Sequence, residues 1–291
     1  MTLPRLRVGD WEAELAPDVG GAITALRMAG VPILRETRSS PSHPLQTACF
    51  AMVPYANRIA QGRFTFNDRP VQIAPNFPPQ RHPLHGMGWL TRWNILRHDD
   101  ASILLEHQHS GDSAWPWAYR AHQHVSLDRQ GCTVRLMVEN LSDETAPMGL
   151  GLHPYFRRFA DTVLQFEADA MLGIDEEFLP DGESHPVDRL AAWPKGSALP
   201  DVLTDHCFTG WSGHARISDA LGDITLRGFG TPCCHVFAPP AGDELCVEPV
   251  TQTPDAFNRA ADEVPTVLPG RATGIAMRIE ATPATGRRTA A

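Results

Sequence analysis

The chain has 291 residues, of which 42% are hydrophobic and 20% charged, and its 26 prolines and 23 glycines are typical of a loop-rich globular protein. The chain has 34 Asp and Glu but only 25 Lys and Arg, and the resulting net charge of −9 argues against nucleic acid as a partner. No apolar run approaches the roughly 18 residues of a membrane helix, and the first residues lack the apolar core of a signal peptide. We therefore expect a cytoplasmic protein without membrane contact.

The six cysteines form no Cys-X-X-Cys pair, and a chain of this length does not need disulfides for stability. We expect reduced thiols. Cys233 and Cys234 are adjacent, but neighbouring residues on a strand face opposite sides, which argues against a redox pair.

The first third of the chain contains short predicted strands and then an apolar run at 48–55 that closes on a proline and a tyrosine. Arg58 follows this run beside a glycine-containing turn. An isolated arginine is usually a solvated surface charge, but one at the end of a buried strand presents five donors to whatever lies there. The position favours contact with a polar ligand.

Residues 75–89 are too rich in proline and glycine for a regular element, which is typical of a functional loop. His82 and His85 have a spacing that could bind zinc, yet a third ligand and any HExxH signature are missing. Hydrogen bonding to a ligand, or within the loop itself, is the favoured interpretation.

Residues 92–139 alternate apolar and polar side chains in the pattern of β-strands. Four histidines on these strands could form a metal patch, but their polar neighbours favour solvated strand ends; they are His107, His109, His122 and His124. Trp115 and Trp117 are interpreted as core rather than as a sugar-stacking wall.

Two later segments share one construction, in which an apolar strand ends in a titratable residue followed by proline. These are His153-Pro154 and Glu248-Pro249. A histidine in an apolar run is either a satisfied core residue or one tuned for proton transfer. Because a carboxylate recurs in the same setting, the two residues are a candidate acid and base pair.

The remaining C-terminal part predicts a short helix at 255–264, a last strand at 270–281 and a frayed polar tail at 284–291. No internal repeat or linker is visible. A single domain over residues 1–291 is the simplest prediction.

Five short motifs occur in the order found in the aldose 1-epimerase (galactose mutarotase) family, which the chain resembles over about residues 5 to 281. They are Asn57-Arg58-Ile59 with Gly62 and Phe64, Leu84-His85-Gly86, the stretch from Gly151 to Phe156, Asp205-His206-Cys207-Phe208, and Val247-Glu248-Pro249. The resemblance implies an all-β fold, a large antiparallel β-sandwich of the galactose mutarotase-like supersandwich type with few short helices. It also implies a carbohydrate cleft across one sheet.

The same resemblance implies roles for five residues. Glu248 matches the general base that takes the proton from the C1 hydroxyl, and His153 matches the general acid that protonates the ring oxygen. Arg58 and His85 match residues that hold the ring oxygen and neighbouring hydroxyls, and Asp205 matches a carboxylate that accepts from sugar hydroxyls. The implied substrate is a monosaccharide, with no metal or other cofactor, and the resemblance makes no prediction of oligomeric state.

Three alternatives stay open at this point. Arg81 and Arg92 flank the histidine-containing loop and could meet a phosphorylated or sulfonated sugar. A sugar-binding protein without catalysis is the second, although binding alone does not require an acid and a base. A zinc-dependent β-barrel enzyme is the third. For the pair itself, we expect the nearby carboxylate of Glu248 to raise the pKa of His153 and so make it a competent acid.

Overall fold

The computed structural model describes residues 3–37, 40–240 and 242–284, and within them the chain is built mainly of β-strands. The strands are β1 (Arg5–Val8), β2 (Trp11–Ala16), β3 (Ala22–Met28), β4 (Val31–Pro32), β5 (Cys49–Met52), β6 (Arg63–Phe66), β7 (Arg69–Gln72), β8 (Asn94–His98), β9 (Ser102–His109), β10 (Tyr119–Leu127), β11 (Gly131–Asn140), β12 (Ala146–Pro147), β13 (Gly151–Phe156), β14 (Val163–Phe166), β15 (Ala170–Ile174), β16 (Pro180–Pro186), β17 (Ser197–Ala198), β18 (Thr204–Thr209), β19 (His214–Asp219), β20 (Gly222–Phe229), β21 (Cys233–Ala238), β22 (Leu245–Val250), β23 (Thr266–Val267) and β24 (Ala272–Pro283).

Helical structure is confined to short segments in the described residues. The α-helix is α1 (Ala256–Arg259), and the 3₁₀ helices are Pro44–Gln46, Ala60–Gly62, Gly88–Leu90, Trp193–Lys195 and Ala261–Glu263. The prediction of an all-β fold with few short helices is confirmed. The short helix expected at 255–264 is present as α1 and the 3₁₀ helix after it.

Two large antiparallel sheets make up the architecture. The first has eleven strands in the order β1-β2-β3-β5-β13-β22-β21-β18-β15-β16, with β4 paired to β3. The second has nine strands in the order β17-β14-β19-β20-β24-β11-β10-β9-β8. Side chains from both sheets share one buried cluster, including Leu152 of β13 and Leu136 of β11. The two sheets therefore pack face to face as a sandwich.

The strands predicted at 92–139 are β8 to β11, and in β10 and β11 the expected alternation of buried and part-exposed side chains is present. Trp115 and Trp117 are fully buried, so their interpretation as core residues is confirmed. The prediction that the four histidines of these strands lie at solvated strand ends was wrong for His107. That side chain is buried, with its ring nitrogens 3.1 Å from the hydroxyl oxygens of Thr91 and Tyr119.

A second buried cluster covers the face of the eleven-stranded sheet that points away from the sandwich core. It joins Phe50 of β5 and Tyr155 of β13 to Leu84 and Trp89, which come from the proline-rich loop at 75–89. Because this loop folds over the sheet, the polar side chains of that face are buried without lying in the sandwich core.

No helix within the described ranges is long and apolar enough to cross a membrane. Of the predicted tail at 284–291, all but Ala284 lies outside the described residues.

Candidate active site

Strand register places the candidate residues in one row across the eleven-stranded sheet. His235 of β21 is the cross-strand partner of Glu248 on β22, and His153 of β13 is the partner of Phe50 on β5. Strands β13 and β22 are adjacent, with Tyr155 opposite Cys246. Because cross-strand partners point to the same face of a sheet, these side chains project together beneath the loop at 75–89.

His153 and Glu248 form the centre of this row. The Nε2 atom of His153 lies 3.3 Å from Oε1 of Glu248, and the two side chains are 9% and 3% exposed. The imidazole packs against two aromatic rings, with its centroid 4.6 Å from that of Phe50 and 4.7 Å from that of Tyr155. These contacts fix the ring so that Nε2 faces the carboxyl group.

Burial controls the protonation of this pair. It raises the pKa of Glu248 to about 8, because the ionised carboxylate is poorly solvated there. Burial also lowers the pKa of His153 to about 3, with the positive charges of His235 and Arg35 as further causes. The expectation that the carboxylate of Glu248 raises the pKa of His153 was wrong, because burial dominates and the carboxylate that counteracts it is that of Asp205. At neutral pH the pair therefore holds one proton, on Glu248.

Asn57 organises the residues that the loops contribute. Its backbone N–H donates to Nδ1 of His85 at 3.1 Å, and its side-chain Oδ1 accepts from the backbone N–H of Arg58 at 2.8 Å. Both Asn57 and His85 have a φ of +58°, in the left-handed region that is uncommon outside glycine. Such conformations persist where surrounding contacts enforce them, often at functional sites.

The tautomer of His85 follows from that contact. Burial holds the pKa of His85 well below its ordinary value, so the ring is neutral at pH 7. Since Nδ1 accepts the backbone N–H of Asn57, the ring proton resides on Nε2. His85 is therefore a hydrogen-bond donor.

Gly86 allows this loop to approach the end of β5. It has a φ of +73°, and a Cβ atom added there would lie 2.1 Å from the carbonyl oxygen of Val53. Any other residue would push the loop, and His85 with it, away from the sheet.

Arg58 and Asp205 complete the set of predicted residues. Arg58 is 9% exposed, and burial lowers the pKa of its guanidinium although Asp205 and Glu248 counteract this. Burial raises the pKa of Asp205, but a hydrogen bond with His235 outweighs it and the net direction is downward. Asp205 is consequently ionised at neutral pH.

His235 was missed by sequence reasoning. Its Nε2 atom lies 2.5 Å from Oδ1 of Asp205, and its Nδ1 lies 3.4 Å from Nδ2 of Asn57. It is a titratable residue within an apolar strand, which is the same signal that singled out His153.

The five predicted residues line one cavity of about 160 Å³. Its lining residues are Leu45, Asn57, Arg58, Phe77, Gln80, Leu84, His85, His153, Tyr155, Asp205, His235, Phe237 and Glu248. Predicted residues from chain positions 58 to 248 are thus brought together by the fold. The apolar walls from Phe77, Tyr155 and Phe237 were not predicted.

Three other candidates lie outside this cavity. Arg81 is 76% exposed in its side chain and pairs with Glu177, and Arg92 is 74% exposed and pairs with Asp18. His82 uses Nδ1 to accept the backbone N–H of Gln61, which is a hydrogen bond within the loop region.

A possible metal-ligand set exists in the cavity wall. Ligand atoms of His153, Cys246 and Glu248 lie within 4.8 Å of one another. Burial raises the pKa of both the Cys246 thiol and the Glu248 carboxyl, so two of the three groups are protonated at neutral pH. Because metal ligands must be deprotonated, the arrangement favours proton transfer over metal binding. The four histidines of β9 and β10 do not form such a group among the residues that the structure describes.

The chain is similar to several known proteins over most of its length. The chain is 30% identical over 293 residues to the uncharacterized protein YphB of Escherichia coli (strain K12), with 96% of this chain and 99% of the relative covered. It is also similar to the crystal structure of a candidate aldose 1-epimerase from Escherichia coli K12, with a TM-score of 0.90, 30% identity and coverage of 97% and 99%. A galactose mutarotase-like protein from Clostridium acetobutylicum shares the fold, with a TM-score of 0.85, 20% identity and coverage of 96% and 94%.

The fold is thus that of the galactose mutarotase-like proteins, as predicted. The family model described as aldose 1-epimerase matches residues 13–279, which include every residue of the cavity wall. On these grounds the chain belongs to the aldose 1-epimerase family.

Proposed function

We propose that the protein is an aldose 1-epimerase, which interconverts the α and β anomers of a monosaccharide by acid and base catalysed opening and closure of the sugar ring. The observation that carries this proposal is the buried contact of 3.3 Å between His153 Nε2 and Glu248 Oε1 in the wall of the cavity. An acid and a base must both reach the anomeric centre in such a reaction, because C1–OH and the ring oxygen are bonded to the same carbon.

The reaction begins with the pair in its ionic form. Glu248 takes the proton from the C1 hydroxyl while His153 gives a proton to the ring oxygen, and the bond between C1 and that oxygen breaks. Rotation about the C1–C2 bond then turns the other face of the aldehyde toward the ring hydroxyl. The reverse transfers close the ring as the other anomer. Each positioned proton transfer typically contributes about 10²–10⁴ in rate.

The proton count of the pair is right for this cycle. The ionic form, with a proton on His153 and none on Glu248, holds one proton in total. The neutral form favoured by burial also holds one, on Glu248. Moving a single proton across 3.3 Å therefore interconverts the two forms without exchange with solvent.

The other charged and polar residues orient the sugar. His85, as a neutral Nε2–H donor, and Arg58 supply donors for the ring oxygen and its neighbouring hydroxyls, where negative charge develops as the ring opens. Asp205, being ionised, accepts from sugar hydroxyls. Asn57 contacts both donor residues, since its backbone N–H donates to Nδ1 of His85 and its Oδ1 lies 3.4 Å from the guanidinium of Arg58.

We further propose that the substrate is a neutral monosaccharide. The cavity of about 160 Å³ has room for about five water molecules at roughly 30 Å³ each, which suits one sugar ring and not an oligosaccharide. Arg58 is the single arginine or lysine among its described lining residues, and two carboxyl groups face it. Arg81 and Arg92 form exposed ion pairs and do not line the cavity, so among its described lining residues a phosphorylated or sulfonated sugar finds no second arginine or lysine.

The proposal is tested by NMR measurement of anomer exchange over a panel of neutral aldoses and their phosphates. We expect catalysed exchange for at least one neutral hexose or pentose and weaker exchange for the phosphates. Saturable binding of an aldose without any acceleration of exchange would overturn the proposal in favour of a sugar-binding protein.

A further inference from the structure

His235 occupies the position between the two carboxyl groups of the cavity. It is 5% exposed, its Nε2 lies 2.5 Å from Oδ1 of Asp205, and it is the cross-strand partner of Glu248. A short contact between a ring nitrogen and a carboxylate is a strong, charge-assisted hydrogen bond. His235 therefore links the residue expected to orient the sugar with the residue expected to act as base.

The second ring nitrogen faces the loop side of the cavity. Nδ1 of His235 lies 3.4 Å from Nδ2 of Asn57, the residue whose other groups hold Arg58 and His85. The neutral ring can accept this amide N–H, whereas a protonated ring would direct two donors at each other. At 3.4 Å this contact is long and weak, so the bond of 2.5 Å to the carboxylate dominates the state of the ring.

We propose that His235 is a positioning residue of this site, which fixes the carboxylate of Asp205 through Nε2 and, as an imidazolium, sets the proton content of the His153–Glu248 pair. This inference rests on the proposed function and deepens it. Among the residues that the structure describes, only His235 both lies within hydrogen-bond distance of Asp205 and is the cross-strand partner of Glu248.

The electrostatics agree with this geometry. Burial alone would lower the pKa of His235, but the hydrogen bond and the charge of Asp205 outweigh it and raise the pKa above its ordinary value. The titratable and charged groups that interact with His235 are Asp205 and His206 on β18, Glu248 on β22, His153 on β13, and Arg58 and His85 from the loops. Asp205 and Glu248 favour the charged ring, and Arg58 opposes it.

A charge on His235 acts in the same direction on both members of the pair. It lowers the pKa of Glu248, and it also lowers the pKa of His153. The range of pH in which the pair holds one proton is bounded by these two titrations, so both boundaries lie lower when His235 is charged. Replacing His235 by a neutral residue should move the whole range to higher pH.

The experiment is a pH profile of kcat and of kcat/KM for the wild type and His235→Gln. The glutamine amide can still donate to Asp205, but it carries no charge. We expect both limbs of the bell-shaped profile to move upward by about one pH unit, with activity largely recovered at the higher pH. The matched control is His214→Gln, an exposed histidine on β19 away from the cavity, which should leave the profile unchanged. A uniform fall with unmoved limbs, or no change at all, would overturn the inference.

A second measurement separates this inference from the proposed function. The ring of His235 is titrated by NMR in the wild type and in Asp205→Asn, with no substrate required. We expect His235 to titrate above its ordinary value in the wild type and distinctly lower in the variant. Equal titration in both would overturn the inference even in an active enzyme. A further outcome is that the wild type does not accelerate anomer exchange while the pKa of His235 still differs between the two proteins. In that case the proposed function fails and the link between His235 and Asp205 stands.

Discussion

Nε2 of His153 and Oε1 of Glu248 face each other at 3.3 Å from neighbouring strands of one sheet, with both side chains buried. Burial disfavours charge on either group, so the proton that the pair holds at neutral pH is on the carboxyl group. Removing Glu248 therefore removes the transferable proton, and removing His153 removes the group that has to receive it. This relationship leads to the first three predictions.

Glu248→Gln should lower the rate of anomer exchange by about 10²–10⁴ while sugar binding stays measurable, because the amide keeps the shape of the side chain but accepts no proton. Exchange is measured by NMR or polarimetry, and binding by calorimetry. Glu139→Gln on β11 of the other sheet is the matched control, since that glutamate pairs with Arg120 outside the cavity. Unchanged rates in Glu248→Gln would refute its role as base.

His153→Phe should lower the exchange rate by a similar factor of about 10²–10⁴. Phenylalanine can keep the ring contacts with Phe50 and Tyr155 that hold this position, so the fold should survive. Thermal melting checks the fold, and NMR exchange checks the rate. A folded variant with the activity of the wild type would show that His153 is only a packed core residue.

The pH dependence of stability should report Glu248 directly. The pKa of Glu248 is raised from 4.5 to about 8 in the folded state. The group therefore stabilises the fold fully at pH values below its unfolded-state pKa, and this stabilisation is lost as the pH rises toward 8. Between about pH 6.5 and 8, this group should lower the free energy of unfolding of the wild type by about 2 kcal/mol, at about 1.4 kcal/mol per pH unit. Urea unfolding at both ends of that interval should show a correspondingly smaller loss for Glu248→Gln. An equal loss in the two proteins would contradict the raised pKa.

Gly86→Ala should destabilise the protein and lower its activity together. An added methyl group would lie 2.1 Å from the carbonyl oxygen of Val53, and the loop that carries His85 would have to move. Gly30→Ala is a matched control, because Gly30 has a similar φ of +76° but nothing within 4 Å of the added atom. In the control, the left-handed backbone should lower the free energy of unfolding by about 1–2 kcal/mol. In Gly86→Ala the free energy of unfolding should fall by clearly more. Chemical unfolding measures both, and equal losses would argue against the close approach.

Arg81→Ala and Arg92→Ala should leave KM for the preferred aldose unchanged within about twofold, because exposed ion pairs outside the cavity contribute little. Arg58→Ala should instead raise KM and lower kcat, since this guanidinium is buried in the cavity wall. Steady-state kinetics over neutral and phosphorylated sugars distinguishes the two cases. A large rise in KM for a sugar phosphate in Arg81→Ala or Arg92→Ala would favour an anionic substrate.

Local sequence patterns were sufficient to find the catalytic candidates. His153 and Glu248 each sit in an apolar strand before a proline, and that combination marks a polar group which the fold has a reason to bury. The strands themselves follow from alternation of apolar and polar residues, as in β10 and β11.

Properties that depend on tertiary contacts could not be predicted in this way. The pKa of His153 is lowered because the effect of burial is larger than the opposite effect of a nearby carboxylate. The extent of burial depends on the packing of Phe50 and Tyr155 against the ring, which the local sequence does not show. The bond between Asp205 and His235 joins residues 30 positions apart on paired strands. Their register is a property of the whole sheet.

The location of the shared proton has a further consequence for the proposed cycle. When Glu248 has taken the C1 proton and His153 has donated to the ring oxygen, the carboxyl is protonated and the imidazole is neutral, which is also the form that burial favours. The resting enzyme is thus already in the state that follows ring opening. Under the proposed cycle this form closes the free aldehyde directly, whereas a cyclic sugar first requires the transfer of one proton from Glu248 to His153. An enzyme arranged in this way keeps the reactive aldehyde short-lived.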